Sequence, residues 1–549
     1  MNHSNKIHSV YRYTTPKIEK LSFCCFYIDL VVKTIMSSLL DLCKNKKSQE
    51  ALEMLKYPGN CKLDELDNAN NSPLIWACYN NMREVALELL KHPSECKMDQ
   101  VNDKGSTALI LACYKNAKKN ALELPKYPNK RKIEHVNGNS KSVLQLTRMA
   151  CMEEVAFELL KHPNECKIDH VDGNSNTALI WACKNRMNRV ALEILKHPNK
   201  CKIDHVNENG KSALQLACMA YMEEVALEIL KHPNECKIDH VDGNGNTALI
   251  WACKTRMHNV ALEILKYPNE CKIDHVDDND NTALRWACKN RMTRVALEIL
   301  KHPNECKIDH IDKTADTALL LACRKPRRRY AVLLELLKHL DKCKIDQVGK
   351  DNNTALLLAC RYNAEEIALG LLKHPDVCKI DHVDNRCNTA LILACKKRMT
   401  KVALELLRYP DKCKIDHVDR NGRTALWFAV NGGMQEVAVE LLKYMEKCKI
   451  YQYMYGAGTI LIRACLLNME EVALELLKYP EKCQINEHDN NGNTALIYAL
   501  KKRMKKVVLE LLKYSDICEI DNACTEKQTE LQTESREVSD SYTGMCSVV

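Results

Sequence analysis

The side chains best equipped for chemistry in this sequence are histidine and cysteine, and they recur together. His232, Cys236 and His240 follow one another with three residues between each, with a near copy in His197, Cys201 and His205. Imidazole and thiolate are good zinc ligands, but a structural zinc needs four converging groups, usually in closely spaced pairs. Free cysteine also packs well as a small buried residue. A core role without metal is the expectation. The tip Asp242-Gly-Asn-Gly-Asn246 begins like a calcium loop, yet Cys253 stands at the twelfth position, where a bidentate glutamate belongs. Turn chemistry accounts for those residues. No phosphate-cradling glycine loop, nucleophile elbow or isolated carboxylate pair stands apart from the pattern. Each His, Asp and Cys keeps the same place in block after block, whereas an active site breaks such symmetry. Neither catalysis nor a cofactor is expected.

The blocks themselves come into view when the chain is aligned on Thr-Ala-Leu. Starts fall at Ser37, Ser72, Thr107, Ser142, Thr177, Ser212, Thr247, Thr282, Thr317, Thr354, Thr389, Thr424, Thr459 and Thr494, with 35 residues in every interval except one of 37. In the block from Thr247, the hydroxyl suits the cap of a short first helix, Ala-Leu-Ile-Trp-Ala-Cys, and proline occupies the next position in one block as Pro73. A second helix follows, with Val260, Ala261, Ile264 and Leu265 spaced to bury one face. It must stop before Pro268, because the residue preceding proline is disfavoured in the α region. Cys-Lys-Ile-Asp-His-Val-Asp and a polar tip then read as an extended segment and a turn. One such unit buries too little to fold alone, so neighbours must stack on both sides.

Composition agrees with one repeat array. The 549 residues are only 5% aromatic, and the charge of +9 results from 81 basic and 72 acidic residues, so bulk electrostatics select no partner class. Thirty cysteines would suggest a disulfide framework in a short secreted chain, but here most sit at two fixed repeat positions and read as reduced core residues. Equivalent cysteines on stacked helices, roughly 8–10 Å apart, are too distant to bridge. The apolar stretch Leu21–Met36 is interrupted by Asp29 and Lys33 and supports neither a signal peptide nor a membrane span. The expected organisation is an N-terminal extension over 1–36, an array over 37–522 with its first unit, 37–71, as a cap, and a disordered polar tail over 523–549. Met36 is a candidate start of translation that would leave 1–35 as an upstream extension.

The pairs T-A-L-x-x-A and V-A-L-E-L-L, recurring in register over about residues 37 to 522, resemble the ankyrin repeat. The resemblance implies an all-α helical repeat solenoid of about fourteen helix-turn-helix units with short hairpin connections. Two departures stand out: Ile, Gln, Leu, Arg or Trp replaces the family's histidine after Thr-Pro-Leu, and the exit from the second helix is longer. The dialect, rich in Asn, Lys and Ile, resembles arrays carried by giant DNA viruses of protists, with similar ones in intracellular bacteria. The resemblance implies a non-enzymatic protein-interaction scaffold, expected as a monomer in the cytoplasm of the producing or infected cell.

In such arrays the hairpin tips and the ends of the first helices line a concave binding groove. Carried over by position, the groove cations are Lys184, Lys254, Lys289, Arg324, Arg361, Lys396 and Lys501. Five come from consecutive blocks and would form a stripe on the order of 40 Å long at about 10 Å per unit. Lys-x-Arg-Met recurs and adds Arg186, Arg256, Arg291 and Arg398. The stripe is either a solvated face or the docking site of an acidic protein. Nucleic acid is a weaker alternative because aromatics are few and aspartates lie beside the cations. An adaptor for ubiquitin machinery is another, although no packed apolar helices follow Asn522. Three irregular places complete the candidates: Pro125 inside a second helix, where a kink or loose spot is expected; the insertion Lys325-Pro-Arg-Arg-Arg329; and Tyr451, Tyr453 and Tyr455 in place of a polar hairpin. Residues 176–210 and 246–280 are nearly the same, which points to duplication of a two-repeat unit.

Overall fold

The structure is a computed structural model that describes residues 37–126, 135–138, 140–147, 152–162, 166–444 and 458–514. The extension, the polar tail and Tyr451, Tyr453 and Tyr455 lie outside the described residues. The chain divides into two compact units between Asp277 and Asp278, not at Pro125. Within each, short helices alternate as first and second members of a pair, and the described residues contain no strand beyond isolated bridges such as Val206 with Ser212. None of the described helices is long and apolar enough to cross a membrane.

The repeating threonine or serine starts every pair. Thr247 Oγ1 accepts from the Ile250 amide at 3.2 Å, Thr389 Oγ1 does the same for Ile392 at 3.2 Å, and equivalent caps stand in every block from Ser72 onward. Each cap satisfies an otherwise orphaned donor of the first turn. In the first block the cap is Ser38 rather than Ser37, so that helix begins one residue later, at Leu39. First helices such as Ala178–Lys184 and Ala390–Lys396 bury Ala, Leu, Ile and Cys on the packed side. Second helices such as Asn188–Leu195 and Thr400–Leu407 bury Val, Ala, Ile or Leu at the expected spacing. Within each unit, first helices pack on the first helices of adjoining repeats, and second helices on second ones. The core is therefore a row of small apolar residues shared between neighbours, each large one contributing about 1.5–3 kcal/mol of burial.

The hairpin between repeats is organised by one side chain. Asp384 carries a carboxylate into the turn with no accessible side-chain surface. Its Oδ1 accepts the amides of Arg386 and Asn388 at 2.7 and 2.8 Å, and its Oδ2 accepts Asn388 Nδ2 at 2.9 Å and Arg361 Nη2 at 2.5 Å. Asp67, Asp172, Asp242 and Asp489 hold the same pair of amides and add an aromatic donor nine residues on: Trp76, Trp181, Trp251 or the Tyr498 hydroxyl. Where the residue is asparagine, as at Asn102 and Asn207, its side-chain oxygen still accepts both amides and its Nδ2 donates to the asparagine of the preceding hairpin.

Histidine ties one hairpin to the last. The Nε2 of His170, His205, His240, His275, His382 and His417 bonds a tip carbonyl thirty residues earlier, at 2.8–3.3 Å. The accepting residues, among them Ser175, Gly210 and Asn352, have positive φ, which turns that carbonyl toward the next repeat.

Both internal irregularities have local explanations. Pro125 shortens its second helix to Lys118–Glu123, and the chain continues as a 3-10 turn over Leu124–Lys126. The same helix places Asn120 where other blocks have valine, buried with neither side-chain polar atom hydrogen-bonded. Such a group costs about 1–3 kcal/mol, so this is a weak repeat for two reasons, only one of which is proline. In the insertion, Pro326 begins the helix Pro326–Leu337 and Arg329 departs from helical geometry. Its side chain turns inward: Nη1 donates to the Leu321 carbonyl at 2.5 Å and Nη2 to the Lys289 carbonyl at 3.1 Å. Part of the expected specialised surface is thus a buried clamp on two helix ends, where a cation is favoured.

Burial pushes the Asp384 carboxyl up, but the Asn388 and Arg386 amides, the Asn388 side chain and the Arg361 guanidinium outweigh it, leaving the pKa below the usual carboxylate range. The balance runs the same way at Asp67, Asp312, Asp419 and Asp489. A depressed folded-state pKa gives stability that is complete above the unfolded value and lost as pH falls through the folded one. Acid unfolding of these hairpins is therefore expected below about pH 4. Asp384→Ala should cost about 3 kcal/mol at neutral pH by stranding several donors. Urea titration checks this, and a loss under about 0.5 kcal/mol would contradict it.

Candidate interaction surface

The groove cations do not share one environment. In the first unit, the half-buried Lys254 ammonium reaches Asp277 at 3.0 Å and the Asn246 side-chain oxygen at 2.6 Å. Lys184 is exposed and stands 5.2 Å over the Trp181 ring. In the second unit, Arg324 bonds Asp316 at 2.9 Å and Asp351 at 3.1 Å, and Arg361 bonds Asp384. Lys289, Lys396 and Lys501 are exposed, over Trp286, Phe428 and Tyr498. Lys254 and Arg361 each pair with the hairpin aspartate of the following repeat, so their first duty is to hold the turn. The exposed lysines set their ammonium groups over aromatic faces, and Lys501 also donates to the Asn493 side-chain oxygen at 2.9 Å.

The arginines of Lys-x-Arg-Met carry a different signal. Arg186, Arg256, Arg291, Arg398 and Arg503 all have φ between 57° and 63°, and all are exposed at the corner between first and second helix. Asn81, Asn116, Asn363, Asn468 and Gly433 occupy the same place in other blocks, as do Lys46 and Tyr221, with φ between 55° and 66°. A left-handed residue costs about 1–2 kcal/mol unless it is glycine or, less favourably, asparagine. The corner therefore keeps long cations where short residues fit with less strain.

A cavity of about 570 Å³ opens at the same kind of corner in the second unit, next to the insertion. Its wall includes Arg324, Lys325, Arg327, Arg328, Arg361 and Lys397, with Tyr362 beside them and no carboxylate residue.

Most of the described thiols, and the hairpin imidazoles that bond tip carbonyls, serve the fold. Among the described residues no cluster of three or more His, Cys, Asp or Glu is placed to hold a metal. Burial pushes the first-helix thiols of Cys113, Cys218 and Cys360 up to about 12. The second-position thiols of Cys166, Cys378, Cys413 and Cys483 donate to carbonyls seven residues back, at 3.0–3.1 Å, closing the long exit of the second helix. Two replacements of the family histidine, Gln145 and Gln215, complete capping boxes and donate into the next hairpin. A third, Arg285, is 2% exposed and bonds Asn281 at 2.5 Å and Asp312 at 2.6 Å.

A family model described as ankyrin repeats (three copies) matches residues 39–133, 146–242, 220–312, 376–454 and 448–522, well over half of the chain. The protein belongs to the ankyrin-repeat family. Ankyrin repeats are in general protein-interaction modules, and the family is typically non-enzymatic. A search of curated proteins returns no match. In ankyrin terms the cationic corner lies where the first helix of each repeat gives way to the second.

Among the described cysteines only Cys387 is exposed and Cys61 half-exposed; the others are buried. Of these described cysteines, maleimide labelling of the native chain followed by peptide mapping should mark Cys387 first and Cys61 more slowly. Cys113, Cys218 and Cys360 should react only after denaturation, and their prompt native labelling would contradict the packing described.

Proposed function

We propose that this ankyrin array is a non-enzymatic scaffold that holds an acidic segment of a partner protein, working as a monomer in the cytoplasm of the producing or infected cell. The observation that carries the reading is the column of arginines held at positive φ. Five corners accept a strained backbone with arginine and a sixth with Lys46, although asparagine or glycine fills the same place in five other blocks and Tyr221 in one. Strain kept at recurring exposed positions points to a use for the side chain rather than to packing. Exposed Lys184, Lys289, Lys396 and Lys501 lie two residues before four of these arginines and add to the positive surface. Such a surface speeds encounter with an acidic partner and rejects basic ones. The non-catalytic part of the reading is supported by the structural employment of the repeated His, Asp and Cys residues.

The strained corner also supplies a clean test, because asparagine removes the charge while easing the backbone. The full chain carrying Arg186→Asn, Arg256→Asn, Arg291→Asn, Arg398→Asn and Arg503→Asn should be at least as stable as the parent. It should also lose a protein that the parent retains from cell lysate. Equal retention of that protein by both chains would remove the arginines from the binding surface.

A further inference from the structure

The 570 Å³ cavity beside the insertion is lined by six cationic residues and no acidic one. Arg324 and Arg361 in its wall are committed to Asp316, Asp351 and Asp384. Lys325, Arg327, Arg328 and Lys397 have no ion-pair or hydrogen-bond partner for their side chains among the described residues, and all four are exposed. Like charges gathered this closely repel one another, so the folded chain gains by binding a compact counter-charge there.

The backbone that carries them is fixed from below. Pro326 is buried at the start of its helix, and the buried Arg329 guanidinium is bonded to the carbonyls of Leu321 and Lys289. Arg327 and Arg328 lie between these two anchors, so the segment that presents them is ordered before any ligand arrives. Binding then loses little backbone entropy.

We infer that this cavity is a binding site for a compact polyphosphate anion. Its volume falls in the range of small-ligand sites, about 300–1,000 Å³. Carboxylates on an extended peptide are spread at about 3.3–3.6 Å per residue, one charge to a side chain. A phosphate group carries up to about two charges and three acceptor oxygens in one place. Planar guanidinium forks take such oxygens two at a time, and the lysines add point charge. The site adjoins the arginine column, since Asn363 and Lys397 line it, but none of the five column arginines does, and the inference does not depend on that reading.

The test is calorimetric titration of the full chain with inorganic tripolyphosphate at about 0.15 M salt, where weak surface attraction is screened. Arg327→Ala, Arg328→Ala and Lys397→Ala are combined in one variant, and Lys301→Ala, Lys338→Ala and Lys478→Ala form a control with the same loss of charge. Far-UV circular dichroism verifies that both fold. The expected result is one tripolyphosphate per chain, weakened at least about tenfold by the first variant and unchanged by the control. Equal weakening by both variants, or no binding to the parent chain, would overturn the site. An octaglutamate peptide that binds as tightly, with the same sensitivity to the first variant, would overturn the choice of phosphate. So would a random duplex that outcompetes tripolyphosphate.

Discussion

The hairpin between two repeats exposes its tip but buries the amide that leads into the next first helix, as at Asn176, Asn246 and Asn388, and that amide must find a partner within the chain. Here the amides go to an aspartate or asparagine side chain, as at Asp172, Asp242 and Asp384, and the tip carbonyl to a histidine of the next repeat. The remaining carboxylate oxygen then demands a donor of its own. Trp181 and Trp251 supply it in some blocks and Arg361 in another. The identity of the aromatic or basic residue on the first helix is therefore tied to the chemistry of a hairpin. Loss of one hydrogen-bonding member leaves others stranded, which is why neighbouring repeats are energetically coupled.

Much of this was legible in the sequence because it follows from period and local chemistry. The Thr or Ser cap, the Val-Ala-Ile-Leu face and the burial of cysteine at fixed places need only one repeat to be understood. What periodicity does not display is pairing across a repeat boundary. Lys254 and Arg361 look like surface cations until Asp277 and Asp384, twenty-three residues on, are brought against them. Arg285 and Arg329 are hidden for a similar reason, since Asp312 lies twenty-seven residues after the first and Lys289 forty before the second. The left-handed corner was readable: Asn81, Asn116, Asn363, Asn468 and Gly433 share a column with the arginines, and short residues that tolerate positive φ are the signal.

The structure separates two kinds of positive charge that composition merges. One kind is internal: Lys254, Arg285, Arg324, Arg329 and Arg361 neutralise carboxylates or cap helix ends. The other is directed outward, at the left-handed arginines and around the insertion cavity. A change of partner preference can proceed through the second kind without loosening the stack. The repeat block thus sets stability through its hairpins and leaves its corners open to variation, as a modular binder requires.

Hydrogen exchange of the native chain, read by mass spectrometry at the hairpins, tests most directly whether they are structural locks. If the carboxylate and histidine networks hold as described, the amides of Asn176, Asn246 and Asn388 exchange as slowly as those within the adjoining first helices. Exchange of these amides as fast as in an unstructured loop would contradict the account, because the hairpins would then be solvated turns and their His and Asp residues free for other work.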